Sequence, residues 1–374
     1  MRKCLALGLM AALLLMACAA PSTGSGSAAA PAKPAAAGAA AAKPAQQTAA
    51  DAERAVADFY RGKTVRVIVG FAPGGATDTA ARLIQQVLGK HIPGNPTVII
   101  ENKPGGGSLL AANTVYNSEP KDGTAIGMFS SSLVLQQAIG AQGVQFDSAQ
   151  YQWLASAYGT VAMCATRPDS GINTIQDIMG TGKEMTVSSF GKGTVSYDPP
   201  AVLNAALGTN FKIITGYPGG AAQRLAVKNG EVQGFCTTFE TVSGIERPMV
   251  EGPNRVAKII IWAGIEAPDD PLLQGVPSAL DLARTDADRE LIRAMSLPLA
   301  FNLPMAFPPG VPQDRVAAML RALEQAHKDP DLAAAAQQAN QDFSPLFSDQ
   351  ITQVVQQILS LSPESKAKLK DLLQ

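Results

Sequence analysis

The sequence predicts an α/β fold with largely parallel sheets. Short β-branched apolar runs alternate with helix-length stretches along most of the chain, and four of those runs end in glycine-rich loops. Alternating elements of this kind build parallel sheets covered by helices. Ligands then sit beyond the carboxyl ends of the strands, where the loops are.

The first residues are written for export. Arg2 and Lys3 form a basic start, and residues 5–16 are apolar but too short to span a membrane as a mature helix. Leu15-Met16-Ala17-Cys18 matches the bacterial lipobox, which makes 1–17 a lipoprotein signal peptide and Cys18 the lipid carrier. The alternative is a plain secretory signal cut at a small residue. Acyl chains contribute about 0.8 kcal/mol per buried CH₂, so several of them anchor a protein stably. Residues 18–57 hold Ala, Pro, Ser, Gly and Gln with almost no large apolar residue, and read as a disordered tether. Such a coil has an r.m.s. reach of roughly 35 Å.

Elements follow in order. The run Thr64-Val65-Arg66-Val67-Ile68-Val69 predicts a strand, and Phe71-Ala72-Pro73-Gly74-Gly75-Ala76-Thr77-Asp78 a loop opening a helix over 77–88. Val98-Ile99-Ile100 predicts a second strand, with Glu101-Asn102-Lys103-Pro104-Gly105-Gly106-Gly107-Ser108 leading into a helix over 108–118. A third strand over 123–129 ends at Ser130, Ser131 and Ser132, and 153–163 reads as a crossing segment. A short helix closes over 177–182, then a strand over 185–189 opens into Phe190-Gly191-Lys192-Gly193-Thr194, followed by a helix over 200–207. The strand 212–215 ends at Gly216-Tyr217-Pro218-Gly219-Gly220, and the helix 221–229 stops at Gly230, a residue suited to a helix end. Strands over 232–237 and 257–262 and helices over 282–295 and 312–328 complete the body.

A strand, a glycine turn and a helix N-terminus place several unpaired backbone N–H groups at one point, which favours an anion. Glycine lets the chain approach closely and take positive φ. Other chemistries find little support. Basic and acidic residues are nearly balanced (30 against 31), and no basic patch with interleaved aromatics points to nucleic acid. No later apolar run approaches 18 residues, so the body is expected to be soluble. The two histidines, His91 and His327, lie outside the glycine loops, so a Ser-His-Asp set is poorly supported. The motif Gly-x-Ser-x-Gly on a strand-to-helix turn, metal-ligand spacing and the phosphate loop are all absent from the sequence. The expectation is therefore no enzyme, no metal and no cofactor. Cys164 and Cys236, which remain after processing, could pair in an oxidising compartment. Each sits in an apolar strand-like segment, and buried free thiols are the favoured reading.

The glycine loops resemble those of the extracytoplasmic solute-binding receptors of tripartite tricarboxylate transporters, the TctC or Bug family. The first signature is Pro73, Gly74, Gly75, Asp78, Ala81 and Arg82; the second is Ile100 to Gly107. Weaker matches are Pro120-Lys121-Asp122-Gly123-Thr124, Tyr217-Pro218-Gly219-Gly220, Gly230-Glu231-Val232-Gln233, Pro309 to Pro312 and Asp329-Pro330. The resemblance spans roughly 62–345. It implies a two-lobed, Venus-flytrap periplasmic-binding-protein fold of type II, with 60–158 plus 283–374 as lobe one, 159–282 as lobe two and the ligand cleft between them. It also implies a receptor that captures a small carboxylate and hands it to a membrane permease, with no nucleic acid partner and a monomeric body. A sensor presenting its loaded form to a membrane signalling protein would share the fold.

Carried over residue by residue, the lobe-one site comprises Phe71, Gly74, Gly75, Ala76, Thr77 and Asp78, then Gly105, Gly106, Gly107 and Ser108, with Ser131. Lobe two contributes Ser188, Ser189, Gly193, Thr194, Tyr217, Gly219 and Gly220. Asp78 suits the first turn of a helix, or faces a ligand amino or hydroxyl group. Tyr217 either meets the ligand or packs. Glu240 is a cleft residue or a strand-end charge, and Arg66 and Arg82 read as scaffold charges. Asp198-Pro199-Pro200 departs from the family pattern, where an uncharged or His-containing stretch is usual, so the ligand is open to differ from citrate-like acids.

Overall fold

A computed structural model describes residues 43–217, 220–244, 247–339, 341 and 343–374. The signal peptide, Cys18 and Gly219 lie outside them. Residues Gln47–Gln374 make one unit. Its strands are β1 Thr64–Val69, β2 Thr97–Asn102, β3 Ala125–Met128, β4 Gln152–Ala155, β5 Ala162–Thr166, β6 Met185–Ser188, β7 Phe211–Ile214, β8 Gly234–Thr238, β9 Lys258–Ala263 and β10 Met305–Phe307. The helices that matter for the site are α1 Lys43–Tyr60, α2 Ala76–His91, α3 Leu109–Asn117, α4 Ser132–Ala138, α5 Asp198–Leu207 and α6 Gly220–Asn229.

The strands form two sheets, β2-β1-β3-β10-β4 and β7-β6-β8-β5-β9. β1 runs parallel to both neighbours, with Val67 opposite Ile100 and Ile126. Side chains alternate across it: Val65, Val67 and Val69 join Ile84 and Leu88 of α2 in one core, while Ile68 joins Ala111 and Val115 of α3 in another. The sheets are mixed rather than largely parallel. β10 is antiparallel to β3 and β4, and β5 is antiparallel to β8 and β9. Each reversal falls next to a place where the chain crosses between the sheets, a long-range pairing that element alternation does not report.

The chain leaves the first sheet after β4, builds the whole second sheet from β5 to β9, and returns at β10. One face of each sheet shares a single apolar cluster, which joins Phe129, Trp153 and Ile68 to Met185, Val187, Leu203 and Ile261. The helix Asp286–Ser296, placed by sequence with lobe one, packs on α5 beneath the second sheet. It is also separate from the preceding turn, because Ala283 is extended and Thr285 caps the new helix by accepting from the Asp288 amide.

Three expectations need correction. The tether ends earlier than residue 57, because α1 begins at Lys43 and its last turns bury Val56 and Tyr60. The Tyr60 hydroxyl donates to the Gly123 carbonyl at 3.0 Å. Alanine is the strongest helix former, so a stretch without large side chains still forms a helix once its end has a surface to dock on. The turn expected at 177–182 is a 3₁₀ turn over Ile175–Ile178. Cys164 and Cys236 are joined as a disulfide, not free: β5 and β8 place them directly opposite each other.

The bridge closes a loop with a sequence separation of 72 residues. Chain-entropy reasoning assigns such a loop up to roughly 4 kcal/mol of stabilisation. Replacing both Cys164 and Cys236 by Ala is expected to lower the denaturant midpoint of the oxidised protein markedly, while leaving the already reduced protein nearly unchanged. Equal midpoints for oxidised wild type and variant would deny the bridge a role.

Candidate ligand-binding site

Three loops meet at one edge of the first sheet because β1, β2 and β3 are parallel and so end together. The first loop leads from β1 into α2. Its Asp78 is almost fully buried, and both carboxylate oxygens are used. Oδ2 accepts from the Gly74 amide at 2.8 Å and from Arg82 Nε at 2.9 Å, while Oδ1 accepts from Asn102 Nδ2 at 2.9 Å. Asn102 Nδ2 also donates to the Phe71 carbonyl at 2.9 Å. Asp78 is thus a clamp within lobe one, and Asn102 ties the end of β2 to the first loop. The Asp78 pKa is held down at about 2, first by Arg82 and then by the Gly74 amide and Asn102, against the opposing effect of burial.

This clamp occupies the Gly74 amide, which the sequence assigned to a ligand. The amides that remain at this end belong to Gly75, Ala76, Thr77 and Asp78, ahead of the bond from Thr79 N to the Gly75 carbonyl. Phe71 is half-buried and Thr77 buried. The second loop turns through left-handed conformations at Gly106 (φ 56°), Gly107 (φ 62°) and Ser108 (φ 75°). Ser108 is a side-chain-bearing residue in a conformation that favours glycine, and it is fully buried. It sits against Gly70, where a Cβ would fall 2.2 Å from the Ser108 Cβ. Its Oγ accepts from the Ser130 amide at 2.9 Å, so the second loop fixes the third. Ser131 is buried at the start of α4.

On lobe two, β6, β7 and β8 also end together. Ser188 and Ser189 are both fully buried; the Ser188 hydroxyl has no hydrogen-bond partner among the described residues, whereas that of Ser189 is tied into its own loop. Ser189 Oγ receives the Gly191 amide at 3.1 Å and pairs with Ser196 Oγ at 3.2 Å. Thr194 Oγ1 donates to the Gly191 carbonyl at 2.6 Å. Ser196, which the sequence reading missed, is the hub of this hydroxyl network and accepts from the Phe190 amide at 3.0 Å. The Gly193 amide is occupied as well, donating to Asp198 Oδ1 at 2.9 Å. The Tyr217 hydroxyl donates to Glu231 Oε1 at 2.6 Å and its ring joins the apolar cluster around Phe235, so Tyr217 packs. Gly220 begins α6, and Gly219 is not among the described residues.

Arg66 pairs with Glu101 at 2.9 Å and with Glu119, and Arg82 pairs with Asp78, so both arginines are held inside lobe one. His91 bonds Asp329 at 2.7 Å, and His327 lies edge-on to Phe343 and Phe347 with its Nδ1 2.8 Å from the Leu323 carbonyl. Neither histidine touches a glycine loop. Among the described residues no group of three His, Cys, Asp or Glu side chains is placed to hold a metal ion, and no helix is long and apolar enough to cross a membrane.

Two cavities open between the halves. The smaller, about 330 Å³, lies between α4 and the Lys192–Asp198 segment, and includes Ser132, Gln136 and Gly193. The larger, about 700 Å³, lies by the crossing at Tyr158 and Gly159 and is lined by Glu240, Arg247 and Asp270. Glu240 is therefore a residue of the crossing region.

Known proteins share the fold. Residues 80–250 match the family described as the Tripartite tricarboxylate transporter family receptor. Over these residues, which are less than half of the chain, it is similar to that family, and the second glycine loop lies within the matched stretch. A UPF0065 protein of Bordetella pertussis is 31% identical over 199 residues, which are 52% of this chain and 60% of that protein. The match thus spans less than two thirds of that relative. Among solved structures, a TctC solute binding protein from Polaromonas superposes with a TM-score of 0.61 at 18% identity, covering 84% of this chain and 98% of its own. MatC from Rhodopseudomonas palustris, with bound malate, does so at 0.56 and 21%, covering 83% and 99%. The fold is the two-lobed α/β fold of solute-binding proteins. The family and these neighbours are substrate-binding receptors, not enzymes.

The two clamping aspartates have opposite signs. Asp78, with its pKa lowered from 3.8 to about 2, adds stability above pH 4 that is lost as pH falls toward 2. Asp198, raised to about 7 chiefly by burial, removes stability as pH rises from 4 to 7. Asp78→Ala is therefore expected to cost about 2–3 kcal/mol at neutral pH and less at pH 3. Asp198→Asn is expected to raise the melting temperature at pH 8 and leave it unchanged at pH 4. Melting curves across pH check both; parallel curves for wild type and either variant would contradict the assignment.

Proposed function

We propose that this chain is a lipid-anchored, extracytoplasmic receptor that captures a small organic acid and delivers it to a tripartite tricarboxylate-type permease. The reading rests on the two glycine loops that follow the neighbouring parallel strands β1 and β2 and therefore leave the sheet at the same end, carrying the amides of Gly75, Ala76 and Thr77 and of Gly105, Gly106 and Gly107. The ligand carboxylate sits between these two loops, held by backbone dipoles and by no ionised side chain. The arginines nearby are engaged with their own acids, which suits a receptor that must release its cargo. Lobe two closes over the acid through the 189–194 and 217–220 loops. Malate bound to MatC is an acid of this class. The Cys164–Cys236 bridge suits an oxidising compartment, and Cys18 supplies the anchor that holds a monomeric body outside the cell membrane.

Gly75 has φ −83°, and a Cβ there meets the Ala72 carbonyl only at an ordinary 3.7 Å. Gly75→Leu is therefore expected to fold normally and to abolish the thermal stabilisation given by mono-, di- and tricarboxylates, aromatic acids and amino acids. A ligand at 100 times its Kd adds about 2.7 kcal/mol to the wild type. Undiminished stabilisation of the variant would remove the carboxylate from this loop.

Cys18→Ser is expected to move the exported protein from the membrane fraction to the soluble one. A variant still sedimenting with membranes would refute the anchor.

A further inference from the structure

The smaller inter-lobe cavity is lined by Ser132, the neighbour of Ser131, on lobe one and by Gly193 of the lobe-two loop. Its lobe-one wall is α4, which presents Leu135, Gln136 and Ile139. Across from it lies Asp198 at the start of α5. One carboxylate oxygen of Asp198 accepts the Gly193 amide. The other has no hydrogen-bond partner, and no cation lies within ion-pair distance of either oxygen, among the described residues. Lys192 lines the same cavity and its charge opposes the rise in the Asp198 pKa, but its ammonium is directed to the Gln374 carbonyl at 2.7 Å. Asp198 is half-buried, so its charge is poorly solvated and burial raises its pKa to about 7. An acid in this state costs stability, and a cation arriving in the cavity would remove that cost.

We propose that this cavity receives a ligand ammonium group, with Asp198 as its acceptor, so that the captured acid is an amino acid rather than a plain di- or tricarboxylate. This rests on the receptor reading above and specifies its ligand. The carboxylate end lies on the amides of lobe one, and the ammonium reaches across to lobe two. The two charged ends of one small zwitterion then bridge the lobes. Gln136 and Ser132 supply further polar contacts at the rim, and Leu135 and Ile139 accommodate the carbon chain. A second carboxylate in the same place would face Asp198, while the ammonium of Lys192, which also lines the cavity, is directed to the Gln374 carbonyl, and this disfavours it.

The test is calorimetric titration of the folded protein at pH 7.5 with matched pairs: aspartate against succinate, glutamate against glutarate, and leucine against 4-methylpentanoate. In the tightest-binding pair the amino member is expected to bind at least tenfold more tightly than its partner. Asp198→Asn keeps an acceptor for the Gly193 amide, and in that variant the ratio is expected to collapse toward one. Gly75→Leu is expected to lose both members of the pair together. A wild type that binds the des-amino acid as tightly or more tightly would overturn the proposal and hand the cavity to Lys192, with the receptor reading intact. An undiminished ratio in Asp198→Asn would overturn Asp198 as the acceptor. Binding of no acid at all would overturn the receptor reading, and this inference with it.

Discussion

The buried carboxylate of Asp78 is the constraint on which the lobe-one site depends. A charge removed from water must be met by donors, and Asp78 is met by three, from a loop amide, a helix arginine and the last residue of a neighbouring strand. Those donors lie on separate elements, so satisfying one carboxylate fixes the position of β1's loop, the start of α2 and the end of β2 at once. The glycines can then turn without a rigid side chain to guide them, because the anchor lies behind them. Ser108 extends the same logic to the third loop, since its left-handed conformation aims its hydroxyl at the Ser130 amide. Strain at one residue is accepted where several partners over-determine it.

Lobe two uses a parallel device with a different balance. Asp198 holds the Gly193 amide as Asp78 holds that of Gly74, in each case an acid in the first turn of a helix reaching back to its own glycine loop. Asp78 has Arg82 beside it and Asp198 has no cation within ion-pair distance among the described residues. One loop is therefore finished by the fold, and the other keeps an electrostatic deficit on its cavity side. In the proposed receptor, the loop with the deficit would sit on the lobe that closes over a ligand already held on lobe one.

Much of this was legible in the sequence, and the reasons are local. Proline, paired glycines and a short β-branched run specify a strand and its turn from adjacent residues, so the loops after β1, β2, β6 and β7 fell where expected. The register of β5 against β8 is not local, and the facing of Cys164 and Cys236 followed from it. Asn102 was visible as part of a motif, but its two bonds reach 31 and 24 residues back. Ser196 lies in a stretch with no pattern of its own. That the amides of Gly74 and Gly193 are taken inside the fold was hidden for a related reason. A glycine loop advertises donors, and whether a later carboxylate has already taken them is a question of side-chain direction. Asp78 and Asp198, four and five residues further on, were the available signal.

Holding an anion with amides alone has a consequence for how the two halves cooperate. Peptide dipoles at a helix start act over about one turn, and unlike a guanidinium they exert little pull at a distance. With Arg66 and Arg82 neutralised inside lobe one, the field at the glycine loops is short-ranged. In the proposed receptor, lobe one alone would then hold a carboxylate only weakly and reversibly. Tight capture must come from contacts made on closing, because a ligand shifts a conformational equilibrium only by its differential affinity for the two states. The fold provides for such movement unevenly. One continuous apolar cluster joins the two sheets on the side of α4 and α5, while the side of α2 and α6 has two separate clusters. Resistance to relative motion is therefore greatest along the shared cluster, and the larger cavity, at Tyr158 and Glu240, lies at the crossing between β4 and β5. Closure that pivots about the shared cluster would keep that core buried throughout and change mainly the solvated volume beside the crossing.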